Sequence, residues 1–453
     1  MLREIRLALI GAGSLAFTPS LLKALAQSSL SEECELTVAL MDVDQRILDI
    51  MYKIGSKLIE HIEDDEGVKR FKIEKHSERK PALENADFVI VTVGVGSVRA
   101  TQIDIEIPMN KGILQAIGDT VGPGGIMRAF RHIPLLLDLA RDMEDVCPNA
   151  YMFNYSNPLT PLVRAIRRES KVKCYGLCTG PYAVKPALAT LFQVSSEEIQ
   201  AYTGGINHLF WVKDFSVNGE KGYPLLEEKL KSEDAVCKID PVILELYDIF
   251  GILPAIGLGR HVAEFFPRIF MQPEAIKKYR IALFPEDTIY DFKNRKPMES
   301  LLMNIALGKM SIRELMLRKG LEEEGIGVVR LMEALVLDKR EFYPGINIPN
   351  EGVISNLPSW GIVEVPAYVD STGIHPFNLG ALPKAAAAVL SSRLCQYELT
   401  VDAALLCDKS LAMQSLLLDG YVRSVDEARE LLREMLYAER EWLPAGWFKV
   451  DIN

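Results

Sequence analysis

The sequence predicts an α/β protein with a doubly wound Rossmann-like domain followed by a C-terminal α+β domain. Three observations favour this class. Apolar runs typical of buried strands alternate with helical segments over the first part of the chain. The first of these runs breaks abruptly into glycines, and the alternation fades beyond about residue 195. Because 453 residues exceed the usual size of one domain, we expect domains at 1–195 and 196–453.

Composition argues against several functional classes. The net charge is −11, the pI is near 5.3 and no long basic run occurs, which disfavours nucleic acid or an anionic membrane as partner. No run of roughly 20 apolar residues could span a bilayer, and the first residues are typical of a strand and turn rather than a signal peptide. Seven cysteines without a C-x-x-C pair suit reduced thiols. We therefore expect a soluble, cytoplasmic protein.

The first predicted strand, residues 5–10, enters a glycine turn. The spacing of Gly11, Gly13 and Ala16 fits G-x-G-x-x-G/A, in which the glycines allow a tight turn and let the backbone approach a pyrophosphate. A helix is predicted to begin near Thr18 and to offer its N-terminus to phosphate. A purely structural glycine turn is the alternative. The residues expected to bind a dinucleotide here are Gly11, Gly13, Ser14 and Leu15.

The next two predicted strands contribute further cofactor candidates. Residues 36–41 lead to Asp42, an acid placed to bind ribose hydroxyls, although its distance from the glycines exceeds the roughly 20 residues usually seen. Such an acid favours NAD over NADP, because a 2′-phosphate would meet like charge. A helix is predicted over residues 46–62. The strand predicted at 86–93 ends at Val93 and Gly94, which we expect to border the cofactor.

A glycine-rich segment follows at residues 117–125, too rich in glycine to be helical by its composition. It is either a surface loop or an active-site loop beside the cofactor. A helix over 126–145 then leads to a strand at 150–153. At the end of that strand, Asn154 and Asn157 either cap the next helix or orient nicotinamide or sugar hydroxyls.

A cysteine and a histidine are the candidate metal ligands. Cys178 follows a predicted strand at residues 172–177, and His208 follows thirty residues later. Taken singly, each is more typical of a buried thiol or a core histidine. Together at strand ends they are candidates to bind a divalent ion that substrate oxygens complete.

The remaining chain predicts a mixed second domain. Helical segments occur at residues 312–337 and 383–393, and a strand at 361–368. Loops are expected at 347–352 and at 375–376. The sequence shows no internal repeat.

The ordered motifs resemble glycoside hydrolase family 4, whose NAD-dependent and usually metal-dependent members have a fold similar to lactate and malate dehydrogenases. The resemblance covers nearly the whole chain, and the glycine-proline loop is most similar to members that act on α-galacturonides. It rests on residues 10–14, 118–125, 154–158, 176–178, 205–208, 260–265 and 347–350.

This resemblance implies an unusual glycosidase mechanism, outside the two-carboxylate scheme. NAD takes hydride from C3 of the sugar, the proton on C2 is then removed, the aglycone leaves, water adds and the hydride returns. A divalent metal, commonly Mn²⁺, bound at the positions of Cys178 and His208 would polarise the C2 and C3 oxygens. The implied partner is a small glycoside, and the implied assembly is a homodimer or homotetramer.

The resemblance also implies roles for individual residues. Asp119 matches a carboxylate that assists departure of the aglycone, and a raised pKa would let it keep a proton to donate. Asn157 matches an amide that contacts the sugar. Four cationic side chains are candidates to orient an anionic substrate, or alternatively to form ion pairs between domains: Arg99, Arg131, Arg260 and His261.

Two positions depart from the family pattern. Thr179 stands where many relatives have a polar histidine, asparagine or aspartate, and Gly259 stands where several have an aspartate. The base that removes the C2 proton is therefore open, and Tyr247 is the candidate, with Tyr182 and Tyr155 as alternatives.

The sequence therefore predicts a NAD-dependent glycosidase that hydrolyses a uronide, with an α-galacturonide as the favoured substrate. Another specificity is the first alternative, namely a sulfoquinovoside, a neutral glycoside or a 6-phosphoglycoside. Two other classes remain open: a dehydrogenase of the lactate or malate type, and a sugar or nucleotide binder without activity.

Overall fold

The computed structural model describes residues 2–66, 71–283, 292–317 and 322–449. The strands found in these ranges belong to one sheet. In chain order they are β1 (Arg3–Ile10), β2 (Cys34–Met41), β3 (Lys72–His76), β4 (Phe88–Val91), β5 (Tyr151–Asn154), β6 (Lys173–Gly176), β7 (Ile199–Ile206), β8 (Leu209–Val217), β9 (Glu220–Lys221), β10 (Glu341–Pro349), β11 (Ile362–Asp370) and β12 (Gly373–Pro376).

The first six strands are parallel and follow the order β3-β2-β1-β4-β5-β6. This is the doubly wound order of a dinucleotide-binding fold. Ile10 pairs with both Met41 and Val91, so the carboxyl ends of β1, β2 and β4 lie side by side. The strands predicted at 36–41, 86–93, 150–153 and 172–177 correspond to β2, β4, β5 and β6, and the predicted Rossmann-like fold is confirmed.

The same sheet continues into the second half of the chain through antiparallel strands. β10 pairs with β6, β11 with β10, and β7 with β11, after which β7 and β8 form a hairpin. The hairpin of β7 and β8 therefore belongs to the same sheet as the parallel strands. The domain boundary at residue 195 stays a prediction.

Helices cover the sheet. They are α1 (Phe17–Ala26), α2 (Ser29–Glu33), α3 (Gln45–Glu66), α4 (Arg79–Leu83), α5 (Ser97–Asn110), α6 (Gly122–Val146), α7 (Leu159–Glu169), α8 (Val184–Phe192), α9 (Gly222–Lys229), α10 (Glu233–Val236), α11 (Pro241–Phe250), α12 (Gly259–Glu264), α13 (Pro267–Phe270), α14 (Pro273–Tyr279), α15 (Phe292–Ala306), α16 (Arg313–Met316), α17 (Glu322–Leu337), α18 (Lys384–Leu406), α19 (Lys409–Asp419) and α20 (Val425–Ala438).

Most of the predicted helices match these elements. The helix expected near Thr18 is α1, the one over 46–62 is α3, and the one over 383–393 is the first half of α18. The segment predicted as one helix over 312–337 contains α16 and α17, and residues 318–321 lie outside the described residues. Within the described residues, no helix combines the length and the apolar character needed to cross a membrane.

The prediction of a loop over residues 117–125 is wrong for its last four residues, because α6 begins at Gly122. A Cβ at Gly124 would lie 2.5 Å from the carbonyl oxygen of Gly118, and one at Gly125 would lie 2.6 Å from the carbonyl carbon of Thr120. The glycines therefore admit a turn packed directly onto the first turn of a helix. Composition alone suggested the opposite, since glycine disfavours helix interiors.

Two other predicted loops contain strand residues: the loop predicted over 347–352 is wrong for residues 347–349 and correct for 350–352, and the one at 375–376 is wrong. Residues 347–349 end β10, where the amide of Asn347 donates a 2.6 Å hydrogen bond to Glu364 on β11. The amide nitrogen of this buried asparagine thus has a partner within the sheet, although the polarity of the side chain favoured a loop. His375 and Pro376 belong to the short strand β12, whose pairing with β11 ends at Pro376. Proline is tolerated at such a strand end because it need not donate to the ladder.

Candidate active site

The glycine turn after β1 is closed by Asp42 at the end of β2. The amide of Gly13 donates a 2.7 Å hydrogen bond to the Asp42 carboxylate, and a Cβ at Gly13 would lie 2.7 Å from the same oxygen. Gly11 has a φ of +91°, and a Cβ there would lie 2.8 Å from the carbonyl carbon of Thr92. Both glycines are thus required by close contacts, and the predicted acid lies directly beside the turn.

The end of β4 is held by hydrogen bonds to three other parts of the chain. Thr92 donates to the carbonyl of Gly11, and Ser156 donates to the carbonyl of Val93. The amide of Val95 donates to Nε2 of His132 on α6, whose Nδ1 contacts a carbonyl of the same helix. Nothing lies within 4 Å of the position a Cβ would take at Gly94. The structure therefore combines a rigid backbone with open space at this strand end.

Asp119 is buried where the glycine-rich loop meets the loop after β5. Thr120 donates a 2.6 Å hydrogen bond to Oδ1 of Asp119, and the amide of Asn157 donates a 2.7 Å hydrogen bond to Oδ2. The exposed fraction of Asp119 is 2%. Two residues singled out from the sequence, Asp119 and Asn157, are therefore in direct contact.

The electrostatic state of Asp119 differs from the expected raised pKa. Burial alone would raise the pKa of this carboxyl group, but the guanidinium of Arg128 and the hydrogen bond from Thr120 lower it, as do His208 and His261 when they are protonated. Asp119 is thus ionised at neutral pH in this arrangement. An ionised carboxylate suits a ligand or a proton acceptor, so donation of a proton by Asp119 requires that its surroundings change.

His208 occupies the turn of the β7–β8 hairpin with a φ of +66°, a left-handed conformation that costs energy in a histidine. Its Nδ1 lies 2.9 Å from the hydroxyl of Thr120, and its Nε2 lies 3.4 Å from Sγ of Cys178. Since the Thr120 hydroxyl donates to Asp119, the hydrogen bond from His208 comes from its Nδ1–H. The Nε2 lone pair is then directed towards Cys178, as metal binding requires.

His261, from α12, completes this cluster. Its ring centroid lies 4.0 Å from that of His208, and burial lowers the pKa of both imidazoles. Ligand atoms of Asp119, His208 and His261 all lie within 4.8 Å of one another. Among the residues that the structure describes, Nδ1 of His261 has no hydrogen-bond partner. Two neutral imidazoles, one with an unpartnered nitrogen, and an ionised carboxylate form a donor set that fits a divalent cation.

Cys178 borders this cluster through its contact with His208. Burial raises the pKa of the Cys178 thiol to about 12, and the amide of Gly180 donates to its sulfur. A thiol that binds a metal is deprotonated, because the cation stabilises the thiolate far more than solvent does. The predicted pair of Cys178 and His208 is therefore adjacent, and Asp119 and His261 add two further donors. The ligand roles stay predictions.

Three residues proposed to bind substrate have other partners in the structure. Arg131 is fully buried between Asp104 and Glu439, and Arg99 pairs with Glu441 on the surface. Both arrangements favour the ion-pair alternative. The buried amide of Asn154 bonds within its own turn, to backbone groups of Ser156. These contacts favour a turn-forming role for Asn154 over substrate binding.

The remaining candidates lie on α11 and α12. Arg260 donates to the carbonyl of Ala116, at the start of the glycine-rich loop. Tyr247 is half-buried on α11, where its ring stacks on Tyr223. At Gly259, a Cβ would lie 2.2 Å from the carboxyl carbon of Asp240. The side chain of Asp240 thus fills the space beside Gly259 that an aspartate at this position would need.

Several residues of the site were not identified from the sequence. Arg128 lies on α6, donates to the backbone carbonyl of Asn157 and lowers the pKa of Asp119. Thr120 links Asp119 to His208, and Glu264 accepts hydrogen bonds from the loop before Asp119. Thr120 could have been predicted from the sequence, because it follows Asp119 directly. Arg128 and Glu264 carry no signal in the sequence, because their contacts with the site depend on where their helices pack.

Models of two family domains match the chain over residues 6–194 and 203–422. They are described as family 4 glycosyl hydrolase and family 4 glycosyl hydrolase C-terminal domain. The chain belongs to glycosyl hydrolase family 4. The predicted family and the predicted NAD-dependent glycoside hydrolase are thereby confirmed, whereas the identity of the sugar is not.

Members of family 4 with different substrate names are about equally similar to this chain. An alpha-galacturonidase of Bacillus subtilis (strain 168) is 30% identical over 96% of this chain and 97% of its own length. An alpha-galactosidase of the same strain is 30% identical over 97% and 99%. The 6-phospho-beta glucosidase of Thermotoga maritima, solved with manganese, NAD+ and glucose-6-phosphate, superposes with a TM-score of 0.79 at 24% identity over 97% and 99%. The last likeness supports the fold.

Proposed function

We propose that this family 4 hydrolase cleaves the glycosidic bond of an anionic sugar, most specifically an α-galacturonide, with NAD as a resident cofactor and a divalent cation. One observation carries the proposal. In the cluster of Asp119, Cys178, His208 and His261, Cys178 follows β6 and His208 follows β7. These strands belong to the same sheet as β1, which leads to the glycine turn, and β4, which has the open end. A dinucleotide site and a cation site therefore share the carboxyl edge of one sheet.

NAD fits the residues around the glycine turn. Gly11 and Gly13 let the backbone approach a pyrophosphate, Asp42 offers a carboxylate for ribose hydroxyls, and Gly94 leaves open space at the end of β4. His132 and Ser156 hold the backbone of that strand end in place. When bound, NAD supplies a reversible hydride acceptor. The protein's task is to position the cofactor against the sugar and to exclude water.

A cation fits the buried cluster. His208 and Cys178 are adjacent, and Asp119 and His261 bring an ionised carboxylate and an unpartnered nitrogen to the same place. Carboxylate and imidazole donors suit Mn²⁺, which the Thermotoga relative contains. When bound, such a cation polarises sugar oxygens as a Lewis acid. Thr120 fixes the tautomer of His208, so this residue prepares the cluster without binding the cation itself.

Recognition of a sugar carboxylate rests on cationic side chains beside the cluster. Arg128 lies close enough to Asp119 to lower its pKa, and Arg260 lies next to His261 on α12. A guanidinium suits a carboxylate because it donates two parallel hydrogen bonds. The galacturonidase from Bacillus subtilis supports this substrate, and the equally similar galactosidase makes a neutral galactoside the second candidate.

Removal of the C2 proton requires a base, and two candidates lie on or directly before α11. Tyr247 on α11 is the residue predicted from the sequence, and α11 begins directly after Asp240. The carboxylate of Asp240 lies against Gly259, two residues before His261, and burial raises its pKa. The variants Y247F and D240N separate these candidates, since loss of the base abolishes exchange of the C2 proton with solvent. The homodimeric or homotetrameric assembly and the cytoplasmic location stay predictions.

A matched pair of substrates tests the proposed function. The aryl α-galacturonide and the aryl α-galactoside differ only at C6, so their relative kcat/KM measures recognition of the carboxylate. We expect turnover with NAD and Mn²⁺, a preference for the galacturonide of at least about 100-fold, as the loss of a charge-assisted pair implies, and deuterium at C2 of the product formed in heavy water.

Three results would contradict the proposal at different levels. Product without deuterium at C2 would exclude the elimination mechanism. Stoichiometric accumulation of NADH would indicate a dehydrogenase instead. A preference for the galactoside would be consistent with glycosidase activity but would exclude a uronide as the preferred substrate.

A further inference from the structure

Helix α12 holds the backbone of the loop that leads to Asp119. Oε1 of Glu264 accepts hydrogen bonds from the amides of Ile117, at 2.8 Å, and Gly118, at 3.0 Å. Arg260 donates to the carbonyl of Ala116. Residues four apart lie on the same face of a helix, so Arg260 and Glu264 together hold three consecutive residues of the loop from one side.

The segment held in this way immediately precedes Asp119. Gly118 has a φ of +72°, a left-handed conformation that turns the chain into the cluster, and a Cβ there would lie 2.3 Å from the side chain of Ile105. The orientation of the Gly118 peptide therefore determines where the Asp119 carboxylate points. Glu264 fixes that peptide through its amide.

The same short helix also carries His261, whose ring packs on His208. One element thus positions an imidazole of the cluster and, through Glu264, the loop that carries its carboxylate. Glu264 is 1% exposed, and burial raises its pKa to about 8, so the side chain acts at neutral pH chiefly as an uncharged acceptor. Two buried amides without an acceptor would destabilise the loop, which explains a polar residue in this place.

We propose that Glu264 is a positioning residue of the catalytic cluster: by accepting the amides of Ile117 and Gly118, it sets the Asp119 carboxylate against His208 and His261. The inference rests on the proposed function for its kinetic test alone. The geometric part concerns the arrangement of the histidines and is measurable without substrate.

The test compares E264Q with E264A. Glutamine keeps an Oε1 acceptor at the same place, so E264Q should retain kcat within about 3-fold. Alanine leaves the loop amides without an acceptor, and a misplacement of about 1 Å is enough to lower kcat on the order of 100-fold. The KM for NAD should stay unchanged, because the glycine turn does not contact Glu264. Activity is expressed per NAD-binding site, so that unfolded protein does not count.

Glu333 provides the matched control. Its Oε1 accepts the amide of Ser29 at 2.7 Å and ties α17 to the start of α2, a contact of the same kind that involves no residue of the cluster. E333A should lower Tm and leave kcat per NAD-binding site unchanged. A purely structural role for Glu264 would make E264A behave in the same way.

A second readout requires no turnover. The chain contains six histidines, so a spectrum of protein labelled with ¹⁵N-histidine resolves His208 and His261. E264A should shift these two resonances, whereas E264Q and E333A should not. Unchanged kcat and unchanged resonances in E264A would overturn the inference. A loss of kcat in E264Q as large as that in E264A would also overturn it. If wild-type protein hydrolyses no glycoside but the resonances shift as expected, the proposed function fails and the positioning role stands.

Discussion

Cys178 shows how one side chain depends on what its neighbours bind. Burial raises the pKa of its thiol to about 12, so the protein alone stabilises the neutral form. Yet Nε2 of His208 lies 3.4 Å from the sulfur, at the edge of a cluster suited to a cation. A bound cation would reverse the preference and favour the thiolate. Cation binding at this site should therefore release a proton.

We predict that C178S lowers the apparent affinity for Mn²⁺ by about 10–100-fold, because a serine hydroxyl is a poorer anionic ligand than a thiolate. The measurement is the Mn²⁺ concentration that gives half-maximal activity. C395S is the control, since Cys395 is exposed on α18 and should tolerate the change. Equal Mn²⁺ dependence of C178S and C395S would exclude Cys178 as a ligand.

Individual residues could be predicted from the sequence where they follow predicted strands or match the family motifs. Asp119, Cys178 and His208 were all singled out, and the structure places them together. The space beside Gly259 could not be anticipated, because the carboxylate of Asp240 fills it from a different helix. The partners of Arg131 were equally hidden, since Glu439 lies 308 positions away in the chain.

At the scale of elements, the start of α6 illustrates why composition misleads. Gly122 through Gly125 form the first helical turn, and Gly124 and Gly125 pack so closely on the preceding loop that a side chain at either position is excluded. The helix predicted over 126–145 matches the remainder of α6, which ends at Val146. The close approach of two backbones leaves no periodic signal, and it decides where the helix begins.

We predict that G125A destabilises the protein by about 1–3 kcal/mol, the usual cost of overpacking. Glycine to alanine in a helix normally stabilises by roughly 0.5–1 kcal/mol, so the expected sign is reversed. The reason is the 2.6 Å distance from the new Cβ to the carbonyl carbon of Thr120. Thermal unfolding measures the effect. G94A is the comparison, because its Cβ would meet nothing within 4 Å, and a higher Tm for G125A would refute the packing argument.

At the scale of the whole molecule, a buried ion cluster joins distant parts of the chain. Arg131 on α6 contacts Asp104 on α5 and Glu439 directly after α20, and its side chain has no exposed surface. Burial and the nearby Asp104 raise the pKa of Glu439 well above its usual range, which favours the neutral acid. The cluster therefore approximates one ion pair between Arg131 and Asp104, with Glu439 as an additional hydrogen-bonding group.

We predict that substitutions in this ion cluster lower the free energy of unfolding by unequal amounts. R131L leaves the Asp104 carboxylate buried without a cation and should lower the free energy of unfolding by about 3–5 kcal/mol. E439Q replaces a largely neutral acid with a neutral amide and should cost less than about 1 kcal/mol. Denaturant unfolding of both variants measures the difference. Equal losses would show that Glu439 is charged in the folded protein.

The continuous sheet has a consequence for how the chain reaches its native state. β6 is complete at Gly176, but its neighbour β10 begins at Glu341. During synthesis, β6 therefore presents an unpaired edge while about 165 further residues emerge, and closing so long a loop slows folding. Unpaired edges invite aggregation. The nascent parallel half of the sheet is thus the stage at which this chain is most exposed to aggregation through strand pairing.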